Sequence, residues 1–320
     1  MAATKKICIL GGTGFVGQHI VTKLAKQHHK IKIISRHRER NRDLLVLPEV
    51  EIVSADVHDP QVLKNEFSEQ DAVINLVGIL NESGKHTFER AHVELAKKIA
   101  DACVMKEVPR ILHMSALNAD ADKGPSKYLR SKGQAENIVH KIHTANVTSF
   151  RPSVIFGPQD DFFNRFAKLL RIPPTAAPFP LAVANARFAP VYVEDVAHAF
   201  TAALDNKATF GQRYNLCGPN IYTLQQLVNY TAETCGIKKL IIPLGNTTSR
   251  LMAMVMGHVP GKPFTKDNFL SSQVDSVCEE EFPKIFGIEP TPLESVVPKY
   301  LGRKTQRDRY SDYRRTSRRV

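Results

Sequence analysis

An apolar run, Lys6-Ile7-Cys8-Ile9-Leu10, passes directly into Gly11-Gly12-Thr13-Gly14-Phe15-Val16-Gly17 and then into residues with helical spacing. A strand, a glycine-spaced turn and a helix in that order leave few folds open, because the strand must end where a helix N-terminus begins. Gly11 can take a backbone conformation denied to other residues, Gly14 lets the main chain approach a pyrophosphate, and Gly17 lets helix and strand pack closely. The unpaired N–H groups and dipole of the helix N-terminus then favour an anion. Val16, Ile20, Val21, Leu24 and Ala25 continue the helical pattern, and Lys30-Ile31-Lys32-Ile33-Ile34 reads as a second strand. The turn is therefore expected to bind a dinucleotide, with Gly11, Thr13, Gly14, Phe15, Val16 and Gly17 against it.

The first half of the chain keeps this alternation. Strands are expected near 6–10, 31–35, 50–54, 72–77, 109–114 and 147–151, with helices at 15–27, 60–67, 87–106 and 126–144. Such alternation predicts an α/β fold, a Rossmann-like doubly wound parallel sheet with helices on both faces and the ligand crevice at the carboxyl ends of the strands. After Phe156-Gly157-Pro158 the character changes, with Pro173, Pro174, Pro178 and Pro180 crowding one segment. We expect a dinucleotide domain over 1–157 and a smaller C-terminal substrate lobe over 158–301, with elements near 191–216 returning to the core.

Composition bounds the remainder. The five cysteines, at 8, 103, 217, 235 and 278, are scattered singly and read as reduced packing residues rather than a disulfide framework. No apolar run approaches the roughly 20 residues needed to span a bilayer, and the first residues carry neither a secretory core nor an organelle presequence, so a cytoplasmic protein is expected. The net charge of +12 is concentrated after Gly302, where Arg303, Lys304, Arg307, Arg309, Arg314, Arg315, Arg318 and Arg319 face only Asp308 and Asp312. Residues 302–320 are expected to be a disordered basic tail, either merely solubilising or an arm for anionic lipid, nucleic acid or an acidic protein. No nucleic-acid-binding fold is expected.

Two constellations carry chemistry. After the second strand the sequence reads Ser35-Arg36-His37-Arg38, with no carboxylate until Glu39. A guanidinium suits a 2′-phosphate, which favours NADP(H) while leaving NAD(H) open; the competing reading is a solvated basic turn. Asp56, with Val57 beside it, follows the third strand and can meet the adenine amine or simply close a turn. The second constellation is Ser115, Tyr128 and Lys132. Tyr128 and Lys132 are four apart on one helical face, where the ammonium is expected to lower the phenol pKa for proton exchange with a carbonyl. Ser115 follows Ile111-Leu112-His113-Met114 and so lies at a strand's carboxyl edge.

With these pieces in place the chain resembles the extended, atypical branch of the short-chain dehydrogenase/reductases. The likeness rests on the glycine turn, Asp56, Asn75-Leu76-Val77-Gly78, Ser115, Tyr128 with Lys132, Arg151-Pro152-Ser153-Val154-Ile155-Phe156-Gly157-Pro158 and Val191-Tyr192-Val193-Glu194-Asp195-Val196-Ala197. His113-Met114-Ser115-Ala116-Leu117-Asn118-Ala119 and Tyr128-Leu129-Arg130-Ser131-Lys132 look like the NAD(P)H-binding accessory subunit of respiratory complex I and its bacterial relatives. The resemblance implies Tyr128 as acid/base, Lys132 on the nicotinamide ribose and Ser115 on the substrate carbonyl. It also implies cofactor contacts from Leu76, Val77 and Gly78, and from Pro152, Ser153 and Val154. It leaves three functions open: a carbonyl/alcohol oxidoreductase acting on an unidentified small molecule of quinone-like type, a cofactor-stabilised accessory protein of the respiratory chain or quinone synthesis, and a nucleotide-sugar epimerase or dehydratase. Peripheral membrane or respiratory-chain association follows from the second.

Other features are weaker. No histidine pair has metal-ligand spacing, and His140 and His143 are expected on the surface. Leu251-Met252-Ala253-Met254-Val255-Met256 reads as core, with a lipid-facing role as the alternative. Asp160, Asp161, Arg165 and Arg187 fall in the substrate lobe without a motif.

Overall fold

The computed structural model describes residues 3–174, 177–259 and 262–302. The basic tail expected from 302 onward lies, apart from Gly302, outside the described residues. The first half runs β1 (Lys6–Leu10), α1 (Phe15–Lys26), β2 (Lys30–Ser35), α2 (Arg42–Leu45), β3 (Val50–Ser54), α3 (Pro60–Glu66), β4 (Ala72–Asn75), α4 (Leu95–Met105), β5 (Arg110–Met114), α5 (Lys127–His140) and β6 (Asn146–Pro152). A π-helical turn, Glu89–Glu94, leads into α4. The second half runs β7 (Ile155–Phe156), α6 (Phe162–Leu170), β8 (Phe179–Leu181), β9 (Arg187–Phe188), β10 (Val191–Tyr192), α7 (Val193–Ala203), β11 (Arg213–Leu216), β12 (Tyr222–Thr223), α8 (Leu224–Cys235), β13 (Ile241–Pro243), α9 (Asn246–Met256), α10 (Lys266–Ser271) and α11 (Val297–Leu301).

Seven parallel strands form the sheet in the order β11-β6-β5-β4-β1-β2-β3. Chain direction across the sheet reverses between β1 and β4, so the loops after these two strands diverge and leave a crevice. Alternation along β1 explains the two layers. Ile7 and Ile9 enter the core shared with α1 and α7, whereas Cys8 and Leu10 enter the one shared with α3, α4 and α5. Beyond the sheet, α6, α8 and α11 close separate apolar clusters around Phe163, Leu227 and Val297, and around Leu170 and Val228.

The cysteine expectation is corrected. Cys217, one residue past β11, is disulfide-bonded to Cys278, with Cα atoms 6.0 Å apart, whereas Cys8, Cys103 and Cys235 are free and buried. The pair is 61 residues apart in sequence, so only the return of segment 275–278 to the end of β11 reveals it. The Leu251–Met256 expectation is corrected too: α9 buries Ser249 and Ala253 but turns Leu251, Met254 and Val255 to solvent. His143 is exposed as expected, but His140 is half-buried, with Nε2 3.0 Å from the Ser149 hydroxyl.

Candidate functional site

The glycine turn owes its shape to close approaches. Gly11 has φ of +80°, where a Cβ would meet the Leu76 carbonyl carbon at 3.1 Å. A Cβ on Gly17 would lie 2.3 Å from Gly11 O and 2.6 Å from Gly12 Cα, so only hydrogen fits where α1 crosses the turn. Gly14 caps α1 with no side-chain bond, and the first turn holds no acidic residue. The leading N–H groups of α1 are thus left for an anion from outside, which suits a pyrophosphate. Phe15 packs against Gly157, where a Cβ would fall 3.2 Å from its ring. Thr13 accepts from Gln18 through its carbonyl, and Val16 packs on the core.

Arg36 is exposed at the end of β2, in a basic stretch with His37 and Arg38. Asp56 is exposed after β3; its Oδ1 accepts from His58 N at 3.0 Å, closing a turn and leaving Val57 half-buried behind it. Both are at strand ends on the same side of the switch point as β1.

On the other side of the switch point, β4 ends with Asn75, whose Oδ1 accepts from Val77 N and whose amide meets His113 Nδ1 at 3.2 Å. This pairing fixes the path of Leu76, Val77 and Gly78. The Lys132 ammonium lies directly under that loop. A Cβ on Gly78 would be 3.0 Å from Lys132 Nζ and 3.5 Å from His92 Nε2. Lys132 Nζ also donates to Met114 O at 3.0 Å, which places it beside Ser115 at the end of β5. Burial lowers Lys132 to about 8, with the Glu136 charge opposing, so it is still mostly cationic at neutral pH. Pro152 and Ser153 continue the crevice: Pro152 O accepts from Leu117 N, and the Ser153 hydroxyl donates to Ser276 O at 2.7 Å. Val154 O accepts from Val191 N at 2.9 Å.

Tyr128 opens α5, half-buried between Phe88 and His92 at ring-centroid distances of 5.9 and 5.8 Å. Its expected activation is corrected. Burial and the Asp267 charge push the phenol up to about 12, and no hydrogen bond joins it to Ser115 or Lys132. The physical reason is that Lys132 spends its ammonium on Met114 O, whereas Asp267 receives the N–H groups of Lys127 and Tyr128. Three expected residues thus occupy one end of the sheet, but only Ser115 and Lys132 are drawn close through the Met114 carbonyl.

Several residues around the site escaped sequence reading. His92 accepts from Ile79 N at 3.1 Å through Nε2, so its Nδ1 carries the proton toward Ser131 Oγ at 2.8 Å, and Ser131 in turn donates to Tyr128 O. Burial, with the nearby Lys132 charge, lowers His92 to about 2 and keeps it neutral. Glu136 is fully buried, one helical turn after Lys132; it takes Arg151 in a fork, Nη2 at 2.6 Å and Nε at 2.9 Å, and Arg213 Nε at 2.5 Å. The Ser115 hydroxyl is buried beside this carboxylate and helps hold it low without completing a well-directed hydrogen bond. The Tyr128, Lys132, Glu136 spacing was the available signal. Of the substrate-lobe candidates, Asp160 is buried and accepts from Phe163 N, Gly157 N and the Tyr300 hydroxyl. Asp161 pairs with Arg165 and Arg187 with Asp275, all on the surface. Among the described residues no cluster of His, Cys, Asp or Glu could hold a metal ion, and no helix is long and apolar enough to cross a membrane.

Comparison with known proteins agrees with this architecture. The model of the NAD dependent epimerase/dehydratase family matches residues 7–217. The mitochondrial NADH dehydrogenase [ubiquinone] 1 alpha subcomplex subunit 9 of Dictyostelium discoideum is 29% identical over 272 residues, covering 83% of this chain and 74% of its own. Ceramide reductase of Caulobacter vibrioides is 25% identical over 241 residues, covering 74% and 73% respectively. The solved UDP-glucose 4-epimerase of Thermus thermophilus, in complex with NAD, superimposes with a TM-score of 0.60 at 20% identity, covering 82% of this chain and 98% of that one. With the glycine turn, the switch point and the match from β1 to the end of β11 in agreement, the chain belongs to the NAD dependent epimerase/dehydratase family.

Proposed function

We propose that this chain is an NADP(H)-binding reductase of a lipophilic, quinone-like carbonyl, with Tyr128 as its proton donor. The observation that carries the reading is the burial of Lys132 beneath Gly78, bonded to the Met114 carbonyl next to the buried Ser115, on the far side of the switch point from an uncapped, acid-free helix N-terminus. A bound nicotinamide would supply the hydride. The glycine turn from Gly11 to Gly17 would hold the pyrophosphate, Arg36 the 2′-phosphate and Asp56 with Val57 the adenine. Leu76, Val77, Gly78 and Lys132 would hold the nicotinamide ribose, and Pro152, Ser153 and Val154 would line the nicotinamide. The Tyr128 phenol, raised by burial and the Asp267 charge, is protonated at neutral pH and can donate to a developing alkoxide. Ser115 is the second hydroxyl at that carbonyl. The likeness to ceramide reductase supports a lipid-like substrate.

A second reading is favoured by the likeness to subunits of mitochondrial NADH dehydrogenase: the cofactor stabilises an accessory protein associated with the respiratory chain and is not turned over. Purified protein loaded with NADPH, followed by fluorescence during addition of an extract of cellular quinones and lipids, separates the two. The reductase reading expects oxidation by the native chain and a loss of at least about 100-fold with Tyr128→Phe. Stable fluorescence of both proteins supports the accessory reading.

A further inference from the structure

We propose that the solvent-facing side of α9 is a docking surface for an anionic lipid bilayer. The helix packs inward through Ser249 and Ala253, both buried. With 3.6 residues per turn, the opposite pole carries Leu251, Met254 and Val255, which are 58, 46 and 60% exposed. Val259, just past the end of the helix, continues the stripe at 39% exposure. A surface helix of a globular protein ordinarily points its polar face to water; α9 points an apolar one.

Charge selects the occupant. Residues 234–266 contain no Asp or Glu but include Lys238, Lys239, Arg250, Lys262 and Lys266. Lys239 and Lys262 are bonded to carbonyl oxygens of Ile172 and Glu82, which leaves Lys238, Arg250 and Lys266 exposed in this acid-free stretch. Apolar side chains with Arg250 on the same helix and Lys266 on the adjoining α10 match the interface of a membrane rich in acidic phospholipid, where chain insertion and headgroup attraction act together. A second copy of a chain with net charge +12 would instead be repelled.

The surface is mechanically joined to the site. α9 packs on α10, where Asp267 caps the helix that begins with Lys127 and Tyr128. Thr265, at the start of α10, bonds Asn81 in the loop after β4. Docking stands on this surface alone and holds whether or not the reductase reading does.

The sequence contains no tryptophan, so Met254→Trp places a single reporter on the stripe. The full chain carrying it is mixed with phosphatidylcholine vesicles, with and without phosphatidylglycerol. A blue-shifted emission with the anionic vesicles, and little change with the neutral ones, is the expected result. Failure to shift overturns the proposal, as does a shift that grows with protein concentration in the absence of lipid, which would assign the stripe to self-association. In co-sedimentation, Leu251→Ser, Met254→Ser and Val255→Ser combined should reduce binding to anionic vesicles on the order of tenfold. Equal sedimentation of native and triple-substituted chains would assign binding to the basic C-terminal residues instead and also overturn the proposal. The replaced side chains are exposed, and an unchanged thermal unfolding profile verifies that the fold is retained.

Discussion

Glu136→Gln tests whether the charged group behind Ser115 is a working part of the fold. The Glu136 side chain is 1% exposed and its partners Arg151 and Arg213 are 29% and 36% exposed. Removing one member of a dry ion pair costs about 3–5 kcal/mol. Because the two guanidiniums keep part of their hydration, we expect about 2–3 kcal/mol here. In a chain of this size that lowers Tm by about 3–5 °C. The pH dependence gives an independent check. Burial alone would raise the carboxyl, but the hydrogen bonds and charge of Arg151, with the Ser115 hydroxyl nearby, bring it below its ordinary 4.5. A depressed folded pKa contributes stability that is fully present above the unfolded value and is lost as pH falls through the folded one. Urea unfolding of both proteins should therefore show the full gap at neutral pH and a closing gap below about pH 4.5, where native Glu136 takes up the proton and comes to resemble glutamine. A variant within about 0.5 kcal/mol of native at neutral pH, or a gap indifferent to acid, would refute the reasoning.

Gly17→Ala places a methyl 2.3 Å from Gly11 O, so the turn must move, at a cost of about 1–3 kcal/mol; NADPH affinity measured by fluorescence should fall at least about tenfold, and an unaltered Kd would remove the turn from the cofactor site. Arg36→Glu should reverse the preference for NADPH over NADH by about tenfold or more if the guanidinium meets a 2′-phosphate; an unchanged ratio of the two Kd values leaves only a solvated basic turn. Cys217→Ser opens a loop spanning a sequence separation of 61, and loop-closure entropy sets the loss at about 4 kcal/mol. Its urea midpoint should match that of the reduced native protein, and coincidence with the oxidised native protein would contradict the disulfide.

Local patterns were the ones sequence could reveal. The turn from Leu10 to Phe15, the strands that follow and the helical pairing of Tyr128 with Lys132 are dictated by neighbours within a few residues, and the structure has them where they were expected. The contacts that set the site's electrostatics are not local. Glu136 meets Arg213 across 77 residues, and Asp267 reaches the start of α5 across 140. No spacing rule anticipates either, and burial together with the distant Asp267 charge is why the phenol, expected to fall, instead rises. The same holds for Cys217 with Cys278. Hydropathy misjudged α9 for a related reason: apolar content alone does not distinguish a face that meets a core from one that meets solvent.

The position of β11 has a consequence for synthesis on the ribosome. Its four residues pair with β6 only after some sixty intervening residues have been made. Until then β6 is a raw sheet edge, and Arg110, which can already reach Asn146 O and Thr148 Oγ1 of β6, still lacks Ala203 O, Leu204 O and the Thr209 hydroxyl. The nucleotide half of this chain is thus not a cassette that can finish folding as it emerges. Vectorial folding must pause with an open edge until the inserted segment delivers α7 and β11, and a fragment ending at residue 157 should be prone to pair with its own copies along β6.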